Sequence, residues 1–408
     1  MITIRNVKLV NGISQTITLF SDETLEIDGT TLTLLPALID PHVHFRTPGA
    51  EHKENWITGA QAAVKGGVTT VIDMPNNTPS CTTVAALKEK HQLINRQLKE
   101  SKIPLRYYLY FGASKNHLNE IGKAKDFAIG IKVFMGSSTG SLLIDDDATL
   151  NEVFRIASNE DMILSVHAED ETTIQKNSQA FGQQTDPSSH SKIRSREAAT
   201  IAVERALSLA AKHKTRLCIL HVGTKEEIVL IKQAKQAGIS VYCETSPHHL
   251  LLNSTHYAKW GTCVQVNPPL REKEDQEVLW EALNDGTIDF IGTDHAPHTL
   301  EEKSLPYGKA PSGIPSIEFL LPLLLDAFNR RKLTLDTLVK ATRTNIEKIF
   351  RIPSNEDVVL VDMNKAQYTK NTDLKSKCGW SPYVDQELKG IPIYTIIQGK
   401  VICHCSNN

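Results

Sequence analysis

The sequence predicts an α/β protein whose main part is a (β/α)8 TIM barrel. Between residues 36 and 352, eight short apolar runs rich in Val, Ile or Tyr alternate with longer segments of helical period. Apolar runs of this length are typical of parallel strands that are buried on both faces. A helix between successive strands is the usual connection in a parallel sheet, and eight such units close into a barrel.

The strand and helix predictions follow the chain in order. The eight runs are LLPALIDPHVHF, GVTTVIDMP, LRYYLYFGA, AIGIKVFMG, DMILSVHAE, TRLCILHVG, SVYCETSPHHL and IDFIGTDHAP. Between the second and third runs, TTVAALKEKHQLINRQLKE has apolar residues at positions 84, 87, 94 and 98, which is the spacing of one helix face. SREAATIAVERALSLAAKH, between the fifth and sixth runs, predicts a second helix of similar length.

The two ends of the chain differ from the barrel, and we expect them to form a small β-sandwich domain together. Residues 1–37 read as short strands with the turn signals Asn-Gly and Asp-Gly. Residues 353–408 return to this style in DVVLVDMN and GIPIYTIIQGKVIC. The predicted division is therefore 1–37 plus 353–408 for the β domain and 38–352 for the barrel.

Composition and charge exclude several classes of protein. The chain has 408 residues, of which 40% are hydrophobic and 23% charged, as in ordinary globular proteins. A net charge of −2 gives no electrostatic basis for a nucleic-acid or membrane partner. The sequence shows neither a long apolar run nor a signal peptide. Seven scattered cysteines without a C-x-x-C pair argue against a disulfide framework, so we expect a cytoplasmic protein.

Potential metal ligands recur at the ends of the predicted strands, where the active site of such a barrel lies. The first strand ends in His-x-His, whose side chains share one face because a strand has a period of two. Two imidazoles on one face can bind a metal ion. Each residue alone could be packed or capping a helix, but their recurrence predicts a metal centre. The residues are His42, His44, Lys132, His167, His221 and Asp294.

Lys132 is unusual because its neighbours Ile131, Val133 and Phe134 predict that its ammonium group is buried. A buried ammonium is costly unless it is paired or neutral. Two interpretations are open. Lys132 pairs with a buried carboxylate, or it reacts with carbon dioxide to form a carbamate whose two oxygens can bridge two metal ions.

Several motifs resemble those of dihydroorotases of the amidohydrolase superfamily. They are DPHVHFR, DMPN, GIKVFMG, HAED, NPPLR, GTDHAPH and, near the C terminus, KSKCGWSPY, and they cover nearly the whole chain in the family's order. The resemblance implies a binuclear zinc enzyme that interconverts N-carbamoyl-L-aspartate and L-dihydroorotate in pyrimidine synthesis. We also expect a homodimer, and the sequence contains no feature that decides for or against association with aspartate transcarbamoylase.

The resemblance also implies a role for each predicted ligand. His42 and His44 would bind the first, more buried zinc ion, and Asp294 would bind the same ion and act as the general acid/base. His167 and His221 would hold the second ion. Lys132, as N6-carboxylysine, would bridge the two Zn2+ ions, which places this chain in the lysine-containing branch of the family.

The expected substrate depends on Arg46. Dihydroorotate has a carboxylate that hydantoin and allantoin lack, and a guanidinium binds a carboxylate through two charge-assisted hydrogen bonds. Hydantoinases and allantoinases typically lack an arginine at this place. Asn76 could bind the same carboxylate, and Asn267 and His298 could contact the ring amide or the carboxylate. The alternative for Arg46 is a surface salt bridge.

Two other functions are compatible with the motifs. Another cyclic amidohydrolase, of the hydantoinase or allantoinase type, would have similar metal ligands. A non-catalytic dihydroorotase-like scaffold subunit would usually have lost ligands, whereas this chain retains every expected one. Residues 299–313, which are polar and contain several helix breakers, predict either a lid over the site or a plain connector.

Overall fold

A computed structural model describes residues 1–137, 142–182 and 184–404. Its strands fall into three groups along the chain. The first four are β1 (Ile2–Lys8), β2 (Ser14–Leu19), β3 (Leu25–Asp28) and β4 (Thr33–Pro36). The next eight are β5 (Leu38–Val43), β6 (Val68–Asp73), β7 (Arg106–Gly112), β8 (Gly130–Phe134), β9 (Ile163–His167), β10 (Leu217–Ile219), β11 (Val241–Thr245) and β12 (Phe290–Ile291). The last three are β13 (Val358–Tyr368), β14 (Glu387–Ile397) and β15 (Lys400–Cys403).

The helices lie mainly between the barrel strands. They are α1 (Trp56–Lys65), α2 (Val84–Ser101), α3 (Asp147–Asn159), α4 (Glu171–Phe181), α5 (His190–Ile193), α6 (Arg196–His213), α7 (Lys225–Gln236), α8 (Pro247–Leu251), α9 (Tyr257–Trp260), α10 (Lys273–Asp285), α11 (Leu300–Lys303), α12 (Leu320–Asn329), α13 (Leu335–Val339) and α14 (Asn345–Phe350). A π-helical turn, Lys340–Thr344, joins α13 to α14. The two helices predicted from spacing are α2 and α6. Within the described residues, no helix is both long and apolar enough to cross a membrane.

Strands β5 to β12 form the predicted parallel barrel. Each strand is hydrogen-bonded to the next one along the chain, so that the sheet order is the chain order. The first and last strands meet just beyond β12, where Val43 and His295 form a parallel bridge. The His44 amide donates to the His295 carbonyl at 2.8 Å, and the Thr293 amide donates to Asp40 Oδ1 at 2.9 Å. These bonds bring the end of β12 beside the His-x-His strand.

An apolar cluster closes the opposite, amino-terminal end of the barrel. Ile163 and Phe290 begin their strands and are buried with Tyr110. From α14, the Phe350 ring packs edge-on against Tyr110 and Phe290, with ring centres 6.3 and 5.6 Å apart. Since this end is filled by apolar side chains, polar groups can converge only at the carboxyl ends of the strands.

The two chain ends form one mixed seven-stranded sheet. Its order is β15-β14-β13-β4-β1-β2, with β3 paired to β1. We had expected a sandwich, but β4 pairs with β13 and joins the two chain ends into one sheet, in which apolar residues of β1, β3, β13 and β14 form a buried cluster. Helices α1 and α12 pack on β14, so closely that a Cβ added at Gly390 would lie 2.7 Å from Leu325 Cβ. Thr395 also donates to the Val64 carbonyl of α1 at 2.7 Å.

Candidate metal centre and substrate cavity

Three of the predicted ligands converge at the carboxyl ends of β5 and β12. His42 Nε2 lies 3.2 Å and His44 Nε2 lies 3.0 Å from the same oxygen of Asp294. All three side chains are buried, and their potential ligand atoms lie within 4.8 Å of one another. Two imidazole nitrogens and a carboxylate oxygen are a donor set that binds zinc in many proteins. This cluster therefore fits one divalent cation.

The other ring nitrogen of each histidine is bound by the protein. His42 Nδ1 lies 2.7 Å from Glu244 Oε1, and His44 Nδ1 lies 2.8 Å from Asn76 Oδ1. Because a carboxylate or amide oxygen can only accept, His42 Nδ1 carries a proton and donates to Glu244, and His44 Nδ1 donates to Asn76 in the same way. Both Nε2 lone pairs are then directed at Asp294, which is the tautomer that a metal ligand requires.

His167 and His221 form the second cluster. His167 Nδ1 and His221 Nε2 are 3.0 Å apart, and the ring of His221 is 5.5 Å from that of His42. Burial lowers the pKa of both histidines, which keeps them neutral. With Zn–N bonds of about 2.0–2.1 Å, two nitrogen ligands of a tetrahedral ion lie roughly 3.3 Å apart. The observed separation fits a shared ion beside the first cluster.

Glu169 holds His167 in this orientation. One of its oxygens lies 2.9 Å from His167 Nε2 and is also bound by the buried Arg194. Burial would raise the pKa of Glu169, but Arg194 and His167 outweigh it and lower the pKa to about 2. The next residue, Asp170, caps the N terminus of α4 by accepting from the Thr173 amide. Glu169 thus orients a potential metal ligand, and Asp170 caps a helix.

Lys132 lies near the predicted ligands, since, in addition to burial, its charge lowers the pKa of both His167 and His221. Its side chain is buried, and within the described residues Nζ has no hydrogen-bond partner. Burial lowers the pKa of Lys132 to about 8, against the opposing charges of Asp294 and Glu244. The structure therefore offers no hydrogen-bonded carboxylate for the simple ion-pair interpretation. The Lys132 amine is thus buried near the potential metal ligands without a hydrogen-bonded counter-charge in the described chain.

Three site residues have a left-handed backbone. The φ angles are 59° at Arg46, 40° at His221 and 45° at Asp294. Residues other than glycine rarely adopt this conformation, which costs of order 1–3 kcal/mol in a strained site. At each of these positions the chain has just left a barrel strand, and the turn breaks the strand's alternation of side chains. The positive φ angles thus turn these three side chains toward the site and lower the stability of the folded protein.

A cavity of about 260 Å3 opens beside the first cluster. Its lining includes His44, Arg46, Lys53, Asn76 and Glu302. The Arg46 side chain is buried, with Nε donating to the Pro297 carbonyl and Nη2 to His298 Nε2, both at 3.0 Å. Arg46 makes no ion pair in the part of the chain that the structure describes. Burial lowers its pKa to about 10, so it remains charged at neutral pH.

The substrate-binding residues predicted from the sequence divide into two groups. Arg46 and Asn76 line this cavity, whereas Asn267 does not, because its amide oxygen lies 2.8 Å from His190 Nε2. His298 faces Arg46 through Nε2 and faces Lys53 through Nδ1 at 3.0 Å. His298 therefore accepts a hydrogen bond from the Arg46 guanidinium and helps to hold it in place.

Two further residues near the site were not identified from the sequence. Glu244, in β11, orients His42 and also accepts from the His221 amide at 3.2 Å, so that it contacts both clusters. The feature of the sequence that could have identified Glu244 is a carboxylate inside the otherwise buried run SVYCETSPHHL. Asn77 accepts from the buried Lys90 at 2.5 Å and donates to the Thr47 carbonyl at 3.1 Å. Asn77 therefore connects α2 to the loop after Arg46.

Comparison with known proteins shows the family of this chain. Residues 33–402 match the model of the amidohydrolase family. The chain belongs to this family, which defines the class of the protein. The solved structures that resemble it include the L-hydantoinase of Arthrobacter aurescens, with a TM-score of 0.91 and 27% identity over 98% of this chain and 96% of that one. The dihydropyrimidinase of Brevibacillus agri has a TM-score of 0.86 and 27% identity, covering 98% and 94%.

The curated relatives with similar sequences indicate a narrower class of enzyme than the solved structures do. The dihydroorotase of Methanosphaera stadtmanae is 35% identical over 90% of this chain and 85% of its own. That of Halobacterium salinarum is 36% identical, covering 90% and 86%, and that of Macrococcus caseolyticus is 32% identical, covering 98% and 93%. These matches confirm the resemblance to dihydroorotases, and the chain is an enzyme of the cyclic amidohydrolase class.

Proposed function

We propose that this chain is a dihydroorotase of pyrimidine synthesis, which interconverts N-carbamoyl-L-aspartate and L-dihydroorotate in the cytoplasm. The observation that carries the proposal is the buried guanidinium of Arg46, which lines the cavity beside His44 and has no carboxylate partner in the described chain. A buried charge without a counter-charge is costly. The carboxylate of dihydroorotate would supply the counter-charge, and neutral hydantoin or allantoin would not.

The donor sets fit two divalent cations. His42, His44 and Asp294 would hold one ion, His167 and His221 would hold the other, and Lys132 as N6-carboxylysine would contact both. Bound zinc ions would polarise the ring carbonyl and lower the pKa of a water molecule, so that hydroxide is present near neutral pH. Nitrogen and carboxylate-type oxygen donors are the ligands that zinc takes in catalytic sites of this kind.

The residues of the chain would divide the remaining work. Arg46 would bind the substrate carboxylate and fix the ring in the cavity, which is a large part of catalysis when two reactants must be aligned. Asp294 lies against His42 and His44, where it would bind an ion as a carboxylate. Asp294 would take the proton of the attacking water and pass it to the leaving ring nitrogen.

The proposal is tested by an assay of the metal-replete enzyme with dihydroorotate, hydantoin and allantoin. We expect dihydroorotate to be preferred by at least roughly thirtyfold in kcat/KM, since losing one partner of a buried charged pair costs about 2–5 kcal/mol. The structural likeness to hydantoinases makes their reaction the second candidate, which a preference for hydantoin would support. Hydrolysis of none of the three substrates would favour the scaffold interpretation.

Metal content is a second expected result. The protein isolated without chelator should contain close to two zinc-like ions per chain, and His167→Ala should lose mainly one of them. Elemental analysis of the purified protein measures both. His249→Ala is a matched control, because His249 is also buried but contacts Ser246 and the Pro268 carbonyl, and this variant should keep both ions. Full activity with only trace metal would contradict the assignment.

A further inference from the structure

Residues 376–381, which we term the C-terminal segment, belong to the motif KSKCGWSPY and lie between β13 and β14 in the chain. They leave the mixed sheet and reach the Pro297–His298 peptide, which contacts the Arg46 side chain. Trp380 is 4% exposed, and its indole Nε1 donates to the backbone carbonyl of His298 at 2.7 Å. A short, buried hydrogen bond from an otherwise apolar side chain fixes the acceptor peptide as well as the donor.

The peptide that Trp380 binds is adjacent to both groups that hold Arg46. Arg46 Nε donates to the Pro297 carbonyl, and Arg46 Nη2 donates to the His298 ring. All three acceptors therefore belong to two consecutive residues. Within the described chain, the Arg46 side chain makes hydrogen bonds only to the Pro297 carbonyl and the His298 ring. The direction of its guanidinium therefore depends on the position of the Pro297–His298 unit.

The C-terminal segment is anchored independently of the indole hydrogen bond. Ser376 Oγ donates to Glu54 Oε2 at 2.5 Å, and the Lys377 amide donates to the same oxygen at 3.2 Å. Ser381 Oγ donates to the Pro315 carbonyl at 2.9 Å. Glu54 is fully buried. Removal of the indole N–H alone should therefore leave the segment folded in place.

We infer that Trp380 is a positioning residue for substrate binding, which acts through the Pro297–His298 unit to aim the Arg46 guanidinium at the substrate carboxylate. This inference rests on the proposed dihydroorotase function. It gives the C-terminal motif a role in the site, although more than eighty residues separate Trp380 from His298 and more than three hundred separate it from Arg46.

The test is Trp380→Phe, which removes the N–H group and keeps an aromatic ring. We expect the KM for dihydroorotate to rise roughly three- to tenfold, the range that one hydrogen bond is worth, with a much smaller change in kcat. The matched control is Trp280→Phe. Trp280 is also buried, and its Nε1 donates to the Leu250 carbonyl at 3.1 Å, away from Arg46. This control should leave KM unchanged.

A double-mutant cycle separates positioning from general packing. If Trp380 acts through Arg46, then Trp380→Phe should have little further effect on kcat/KM in an Arg46→Met background. Unchanged kinetics of Trp380→Phe, an equal change in Trp280→Phe, or full additivity with Arg46→Met would overturn the inference while the dihydroorotase function stands. A wild-type enzyme that does not act on dihydroorotate would overturn the proposed function and this inference with it.

Discussion

Lys132→Ala is expected to lower kcat/KM for dihydroorotate by more than about a hundredfold, beyond the ten- to hundredfold typical of residues that only orient metal ligands. The physical reason is that Lys132 is buried beside both ligand clusters with no hydrogen-bond partner in the described chain. As a carbamate it would supply the anionic oxygens shared by the two ions. Steady-state kinetics and elemental analysis of the variant measure the loss.

Chemical rescue distinguishes a bridging anion from a packing role. Small carboxylic acids should restore part of the activity of Lys132→Ala, because the truncated side chain leaves space for a carboxylate. Lys132→Met is the matched control, since it fills that space and should not be rescued. Equal activity of the wild type and Lys132→Met would be incompatible with a carbamate, and the bridge would then need another ligand.

Arg46→Met should lower kcat/KM for dihydroorotate by roughly thirty- to several-thousand-fold, which corresponds to about 2–5 kcal/mol for one partner of a buried charged pair. Both metal ions should remain bound, because Arg46 contacts Pro297 and His298 and is not among the predicted ligands. Most of the loss should appear as a higher KM, and kcat should also fall because the substrate is aligned less well.

The control for Arg46 is a comparison of substrates. Any activity toward a neutral cyclic ureide should change little in Arg46→Met, because such a substrate offers no anion to the guanidinium. Arg46→Lys should retain a charge but lose the forked geometry, and we expect an intermediate loss. An equal effect of Arg46→Met on the anionic and neutral substrates would refute the role of Arg46 in substrate choice.

The sequence was sufficient to predict the barrel and the convergence of the potential metal ligands His42, His44 and Asp294 for one physical reason. Parallel strands bring their carboxyl ends to one face, so residues as distant as His42 and Asp294 become neighbours once the strands are recognised. Alternation that continues one residue past the end of β5 then places His42 and His44 together. These inferences need only the order of the strands and their period.

The rest of the site depends on contacts that no local pattern encodes. Glu244 is a single carboxylate within a strand, and its contacts with His42 and the His221 amide appear only in three dimensions. The same is true of Trp380, whose acceptor is a backbone carbonyl, a group that every residue has. The chain ends form one sheet in place of the expected sandwich because β4 pairs directly with β13, a contact that the pattern of neither end reveals.

The left-handed backbone at Arg46, His221 and Asp294 implies a trade-off between stability and activity at these positions. Glycine or asparagine adopts such φ values at lower cost than these residues do, so selection for stability alone would replace them. The same replacements would remove the guanidinium, an imidazole and the proposed general acid/base together with the strain. Variants selected only for a higher melting temperature are therefore expected to drift toward inactive forms at these three sites, whereas retention of all three residues reports selection for catalysis.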